Sequence, residues 1–326
     1  MSERHPWDAS VWKERDTGWA AGCRWLQSWW RENRLNLDPG EHSKGRPDRL
    51  VSSMLPIAAE RDRNFLNREI LAAVDARIDE GNHSGIIEKD RLFRNLLSSQ
   101  PACFKLFGPF VTDPSLLLDW VKSIDVETVS VDLVRFEWAP NRKNHFDGGS
   151  AFDAVIEYSA SGRRFLAIEC KYAENLATSS INVRDPYRTF TENSDHWRTG
   201  ATRRLDVTHL RQFWLNVLLA QSLVERENVY ERGIVLIVAC ASDSSARTAT
   251  GLVRSELHEP DRWLRWMPYE SILEHAPSQG LWAEHFRSRY LNFTPVAHML
   301  ADDDERISRP EPPDLGGLDE LNTIGQ

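Results

Sequence analysis

The sequence predicts an α/β chain in which a mixed central β-sheet is flanked by helices and preceded by an all-helical N-terminal region. Three observations carry this expectation. Residues 126–172 hold three stretches of strand-like composition, the last two joined by a short turn. A helical stripe follows, formed by Leu210, Phe213, Trp214, Val217, Leu218 and Val224. Next, "GIVLIVAC" (233–240) is a continuous apolar run of strand length, the mark of a strand covered on both faces. The order helix, three strands, helix, strand calls for a sheet with helices packed on its faces.

Taken in order, the first 35 residues read as helix, because Trp12, Trp19, Leu26 and Trp30 recur at spacings of seven, seven and four. "LDPGEHSKGRPDR" (37–49) reads as a polar linker rich in turn formers. Residues 54–80 and 86–99 read as helices, the second broken by "QPACFKLFGPF" (100–110). "DPSLLLDWVKSI" (113–124) restarts a helix, with Asp113 as N-cap and Pro114 in the first turn. "VETVSVDLVRFEW" (126–138) reads as strand, with Val129, Val131 and Leu133 alternating. A polar loop over 139–150 leads to strands at 151–158 and 163–172, joined by "SASG". Residues 173–204 and 241–255 read as irregular and 260–292 as helical, while the acidic stretch after about 300 reads as a disordered tail. The expected division is a helical region over 1–85, the sheet-bearing domain over 86–299 and the tail over 300–326.

Composition narrows the function classes. Hydrophobic residues make up 41% of the 326-residue chain, enough for a sizeable core. No stretch approaches the ~20 apolar residues of a membrane span, and the start lacks the apolar segment of a secretory signal. Cys23, Cys103, Cys170 and Cys240 lie far apart, with no CxxC or Cys/His cluster. That pattern argues against a zinc module and for reduced thiols in a cytoplasmic protein. The net charge of −9 disfavours nucleic acid at first sight. However, residues 300–326 hold eight acidic residues against Arg306 and Arg309, so positions 1–299 carry only −3.

The stretch that carries chemistry is "FLAIECKY" (165–172), an apolar strand with Glu169 and Lys171 inside it. Side chains alternate faces along a strand, so Phe165, Ala167, Glu169 and Lys171 share one face. On the preceding strand Asp153 shares its face with Val155 and Glu157. The hairpin register that sets Val155 opposite Ala167 and Glu157 opposite Phe165 also sets Asp153 opposite Glu169. A slip of one residue would send the two carboxylates to opposite faces. Two adjacent carboxylates cannot both stay ionised cheaply, and a hard divalent cation removes the conflict. A lysine at the rim can then orient or deprotonate a water, or offset charge on a phosphoryl oxygen. That set suits metal-assisted phosphodiester hydrolysis. An exposed Glu/Lys pair on an edge strand is the structural alternative. Of the seven lysines, only Lys171 completes a [DE]-x-K triplet.

"FDAVIEYSASGRRFLAIECKY" (152–172) resembles the core of the PD-(D/E)XK nuclease superfamily, the restriction-endonuclease-like fold. With "RLFRNLLSSQPACFKLFGPF" (91–110), "RFEWAP" (135–140), "SAFDAVIEY" (150–158) and "IECKYAE" (168–174) in order, it resembles a bacterial restriction-endonuclease-like branch over roughly residues 65–245. The resemblance implies Mg2+, with Mn2+ substituting, held by Asp153, Glu169 and the main-chain carbonyl of Cys170. It assigns Lys171 to the attacking water. Phe152 stands where the superfamily's name has proline, which leaves the ligands intact. Glu88 is a candidate accessory acid, although a solvated helix face accounts for it as well. Gln100 and Gln212 are candidates to reach the site, and the first could equally serve a helix end. Arg142, Lys143, Arg203, Arg204 and Arg211 are candidate nucleic-acid contacts. His145 and Asp147 read as a solvated loop, Trp138 and Trp214 as core, and His196 and His209 as lacking partners for base chemistry.

The function expected from this reading is a Mg2+-dependent endonuclease acting on DNA in restriction, defence or repair. A catalytically inactive nuclease-fold protein that binds nucleic acid or assembles with others is the alternative. A glycosidase using Asp153 and Glu169 as its carboxyl pair fits worse, because of the adjacent lysine and the lack of an aromatic sugar groove. Cutting both strands of a duplex would be served by a homodimer, though the sequence identifies no interface.

Overall fold

The computed structural model describes residues 16–42, 46–81, 87–141, 144–146, 151–178, 181–275 and 281–297. Helix α1 (Gly18–Asn33) is capped by Thr17, whose side chain accepts from the Ala20 amide. The stretch expected to be a linker instead pairs as antiparallel strands β1 (Gly40–His42) and β2 (Arg46–Val51). Backbone bonds alone can hold such a pair, so its sequence needs no apolar alternation. Gly40 is required there, since a Cβ would lie 2.1 Å from the Leu55 carbonyl oxygen.

Helices α2 (Arg68–Asp79), α3 (Lys89–Arg94), α4 (Ser99–Phe107) and α5 (Leu118–Ile124) follow. The segment expected to break a helix is α4 itself. Pro101 falls in its first turn, where a missing N–H leaves nothing unbonded, and the Ser98 hydroxyl accepts from the Gln100 amide at 3.2 Å. Asp113 caps the short turn leading into α5, as its position before Pro114 implied.

Strands β3 (Ser130–Trp138), β4 (Phe152–Ser159) and β5 (Arg163–Cys170) come next. Helices α6 (Asp185–Asn193), α7 (Ala201–Leu205) and α8 (Arg211–Glu227) precede strand β6 (Arg232–Ala239). The described chain finishes with α9 (Ser244–Ser255), α10 (Pro260–Trp263), β7 (Leu264–Pro268), α11 (Tyr269–His275) and α12 (Trp282–Tyr290). Three of these helices overturn expectations of irregular chain. The polar faces of α6, α7 and α9 masked their small buried ones, such as Ala246, Ala249 and Val253 on α9. The expected helix over 260–292 is interrupted by β7. Its five residues make little pattern of their own, and the open edge of β6 recruits them as a parallel partner.

The sheet runs β3-β4-β5-β6-β7, antiparallel across the first three strands and parallel across the last three. The β4–β5 pairing sets Val155 against Ala167 and Glu157 against Phe165, the register anticipated from the turn. Alternation along β3 is broken by a register shift between Val131 and Leu133.

Strand β6 is buried on both faces. Ile234, Leu236 and Val238 enter one core with helices α2, α4, α5, α11 and α12, and Val235, Ile237 and Ala239 enter another with α6, α8 and α9. The first core joins Cys23, Ile70 and Val74 to Phe104 and Phe286, so residues on both sides of the expected boundary at 85/86 share it. Gln27 on α1 donates to the Tyr172 hydroxyl and the Arg289 carbonyl, both at 2.8 Å. The four cysteines are buried free thiols. Among the described residues no helix is long and apolar enough to cross a membrane. The expected tail over 300–326 lies outside the described residues.

The turn end of the β4–β5 hairpin is anchored by buried Arg164, which reaches Asp125 at 2.9 Å and Glu127 at 2.7 Å. Burial opposes ionisation of Asp125, but the Arg164 and Tyr158 hydrogen bonds outweigh it and hold its pKa below the ordinary value. Asp125→Ala should therefore cost about 3 kcal/mol, the lower end for breaking a buried pair. Urea unfolding at pH 7 measures the loss. The gap from wild type should close as pH falls from the unfolded Asp value of about 3.9 through the lower folded one.

Candidate active site

At the other end of the same hairpin the sequence places acids where the sheet opens. In the registers observed, Phe136 pairs with Ala154 and Trp138 with Phe152, which brackets Glu137 opposite Asp153. Ala154 pairs with Ile168, which brings Asp153 opposite Glu169. One oxygen of Asp153 accepts the Cys170 N–H at 2.8 Å and ties the start of β4 to the end of β5. Three carboxylates on three neighbouring strands thus form a row.

Each is held by its own set of donors. Glu169, 1% exposed, accepts from Lys171 Nζ and Gln212 Nε2 on one oxygen and from Asn216 Nδ2 at 2.7 Å on the other. Lys171 Nζ also donates to Gln212 Oε1 at 2.9 Å. Its backbone is fixed too, by its N–H to Val238 O at 2.9 Å and by the Tyr269 hydroxyl donating to its carbonyl at 2.6 Å. Gln212 and Asn216 lie one turn apart on α8, so the helix that covers this side of the sheet delivers both amides to Glu169. Glu137 accepts from Gln100 Nε2 at 2.7 Å. Glu174 holds Gln100's helix in place by accepting the Ser99 and Tyr172 amides at 2.7 and 2.8 Å.

The electrostatics follow from burial. Glu137 has its pKa raised to about 7, chiefly by burial and further by the charge of Glu169, against the pull of the Gln100 bond. Asp153 is pushed well above the usual carboxylate range by burial, then by Glu169 and Glu137, with Lys171 and the Cys170 amide opposing. Burial works to lower the Lys171 pKa, yet Glu169, Glu174 and Asp153 outweigh it and hold the ammonium above its ordinary value. The neighbouring carboxylates thus favour the ammonium form of Lys171.

A cleft of about 390 Å3 opens on this row, lined among others by Glu88, Gln100, Glu137, Asp153, Gln212 and Asn216. All three accessory candidates from the sequence thus reach it, Glu88 from an exposed position at the start of α3. A larger cleft of about 1020 Å3 lies beside α2 and α3, but its Arg61 and Arg94 are already paired with Asp75 and Asp90.

Other expected residues lie elsewhere. The cleft lining contains none of Arg203, Arg204 and Arg211. Arg203 is exposed on α7, Arg204 forks onto Glu256 at 2.5 and 2.7 Å, and Arg211 binds Asp206 at 2.8 Å. Arg142, Lys143 and Asp147 lie outside the described residues. His145 is no solvated loop residue: it is buried between Ser222 and Glu227, at 2.8 and 2.9 Å. His196 does have a carboxylate partner, Glu225 at 3.0 Å, but far along the chain from the row. Trp214 is fully buried and Trp138 stacks on Phe152.

Sequence reasoning missed Glu137, Asn216 and the cleft-lining Arg91. Asn216 carried a usable signal, being one helical turn beyond Gln212. Glu137 carried none that fixed its place, because the loop after β3 leaves the β3–β4 register open.

Carboxylate oxygens and a main-chain carbonyl suit a hard divalent cation such as Mg2+. Among the described residues, no three acidic, His or Cys groups stand close enough to grip an ion as they are. The donor chemistry nonetheless fits, since the charge of Glu169 pushes both Glu137 and Asp153 toward proton uptake, Glu137 adds to the push on Asp153, and a cation would relieve the same repulsion. A family model described as the PD-(D/E)XK nuclease superfamily matches residues 14–292. No curated protein and no solved structure matches the chain.

A raised carboxylate pKa stabilises the fold below the unfolded value and loses that contribution as pH rises through the folded one. In EDTA, Glu137 alone should remove about 3 kcal/mol of stability between the unfolded Glu value of about 4.3 and its folded value near 7, in addition to the loss from Asp153. Glu137→Gln should make that part of the profile less steep than in wild type, leaving the Asp153 share, in thermal unfolding from pH 4 to 8.

Proposed function

The chain belongs to the PD-(D/E)XK nuclease superfamily, and on that premise we propose that it is a Mg2+-dependent nuclease that hydrolyses DNA phosphodiester bonds, an endonuclease of restriction, defence or repair. Asp153, Glu169 and the Cys170 carbonyl are the groups that hold the cation, with Mn2+ able to substitute. When bound, the metal supplies Lewis-acid stabilisation of charge at the scissile phosphate.

The chain's own residues do the rest. The Lys171 ammonium, fixed beside Glu169, is placed to orient the attacking water through an N–H or to meet charge growing on a phosphoryl oxygen. Gln212 bonds both Glu169 and Lys171, so it sets their separation. Asn216 fixes the remaining Glu169 oxygen. Arg91 and Arg184, on the cleft wall, are better placed for backbone phosphates than Arg204 and Arg211, whose guanidiniums are engaged in ion pairs. One Arg184 nitrogen donates to the Phe146 carbonyl at 2.6 Å, which steadies the side chain. A homodimer would give each DNA strand its own site.

The observation that carries this reading is the row of Asp153 and Glu169, with Lys171 bonded to the second, directly behind a cleft that Asp153, Gln212 and Asn216 line, in a chain of this family. Supercoiled plasmid tests it. Wild-type protein should nick or linearise the DNA with Mg2+ and leave it whole in EDTA. Lys171→Ala and Asp153→Asn should cut roughly 10²–10⁴-fold more slowly while still retaining DNA on a filter. A wild type that binds DNA without cutting it would make the protein a binding module, and equal cutting by Lys171→Ala would remove that residue from the chemistry.

A further inference from the structure

Three carboxylates stand in the row, and the reading above employs two. The third, Glu137, is only 7% exposed yet lines the cleft together with Asp153. Its backbone is bent to put it there. The φ of Glu137 is +45°, a left-handed value that residues other than glycine seldom adopt. Buried Arg77 holds that bend, donating through Nε to Phe136 O at 2.8 Å and through Nη2 to Glu137 O at 2.9 Å. Gln100 then fixes the carboxylate itself. A strand end that needed only this backbone would be served better by glycine.

Glu169 is placed differently. Its oxygens already accept from Lys171, Gln212 and Asn216, and the two amide residues form the cleft wall in its stead. Asp153 and Glu137 each have one oxygen held by a single donor, Cys170 N and Gln100 Nε2 respectively. A cation arriving from solvent therefore meets these two acids first. Building on the nuclease reading, we propose that Glu137 is a third metal-holding carboxylate, sharing a hard divalent cation with Asp153 at the cleft wall. Gln100 and Arg77 are its positioning residues. Glu169 remains a ligand of the same site on its inner side.

Mn2+ binding to the full chain, measured by calorimetry without any substrate, tests this. Glu137→Gln should bind Mn2+ at least roughly tenfold more weakly than wild type, as should Asp153→Asn. If Asp153→Asn loses affinity while Glu137→Gln binds like wild type, Glu137 is no ligand and the nuclease reading stands. If wild type binds no Mn2+, both this assignment and the metal-dependent reading fail. Should Glu137→Gln not fold, Mn2+-soaked crystals of the wild type decide by anomalous scattering. A peak within about 2.5 Å of Glu137 and Asp153 oxygens supports the assignment. A peak that touches Asp153 and Glu169 but not Glu137 overturns it.

Discussion

The pairing of β4 with β5 in one register is the constraint from which the rest of the site follows. Side chains alternate along each strand, so this register alone brings Asp153 beside Glu169. The apolar residues enforce it: Ala154, Ile156, Leu166 and Ile168 fill one core, and Val155, Phe165 and Ala167 the other. A one-residue slip would turn both sets around and expose or bury the wrong groups on two faces at once. The Asp125–Arg164 pair at the turn and the Asp153–Cys170 bond at the open end fasten the hairpin at its two extremes. The position of two acids is thus set by the packing of side chains that do no chemistry.

That placement carries an electrostatic cost which the surrounding helices only partly offset. Glu169 is satisfied by one ammonium and two amides, an arrangement in which every oxygen has a donor. Glu137 and Asp153 have fewer donors, and burial beside like charge pushes both toward protonation. Purely structural packing would favour apolar or amide side chains at such positions. The less compensated acids, Glu137 and Asp153, thus lie on the cleft side, and the fully bonded Glu169 lies behind them.

The N-terminal helices belong to this arrangement. Trp19 donates to the Tyr172 carbonyl at 2.5 Å and Gln27 to the Tyr172 hydroxyl, immediately beyond Lys171. Helix α4 supplies Gln100, and α2 supplies Arg77, which holds the end of β3. The strand ends that carry the acids are therefore braced by the helices of the first core. The irregular appearance of 173–204 in the sequence hid a second brace, since α6 packs Tyr187 and Phe190 around Phe146 beside the cleft.

How much was legible depended on the range over which each feature is decided. Local pattern sufficed for β4, β5, β6 and α8, and for the adjacency of Asp153, Glu169 and Lys171, because period-two alternation and a short turn are properties of neighbouring residues. It failed at β7 and at the β1–β2 pair, whose strands exist through a partner distant in the chain or through backbone bonds that leave no side-chain pattern. It failed at Glu137 for the same reason, since the β3–β4 register spans a loop whose length fixes nothing. The amino-acid order by itself determined which residue types could do the chemistry and which strand faces they share. Only the tertiary structure decided that a third acid joins the row, that Arg204 and Arg211 are committed to ion pairs, and that the carboxylates around Lys171 favour its ammonium form. Those outcomes depend on burial and on partners tens of residues away, and such energies arise only once the chain has closed on itself.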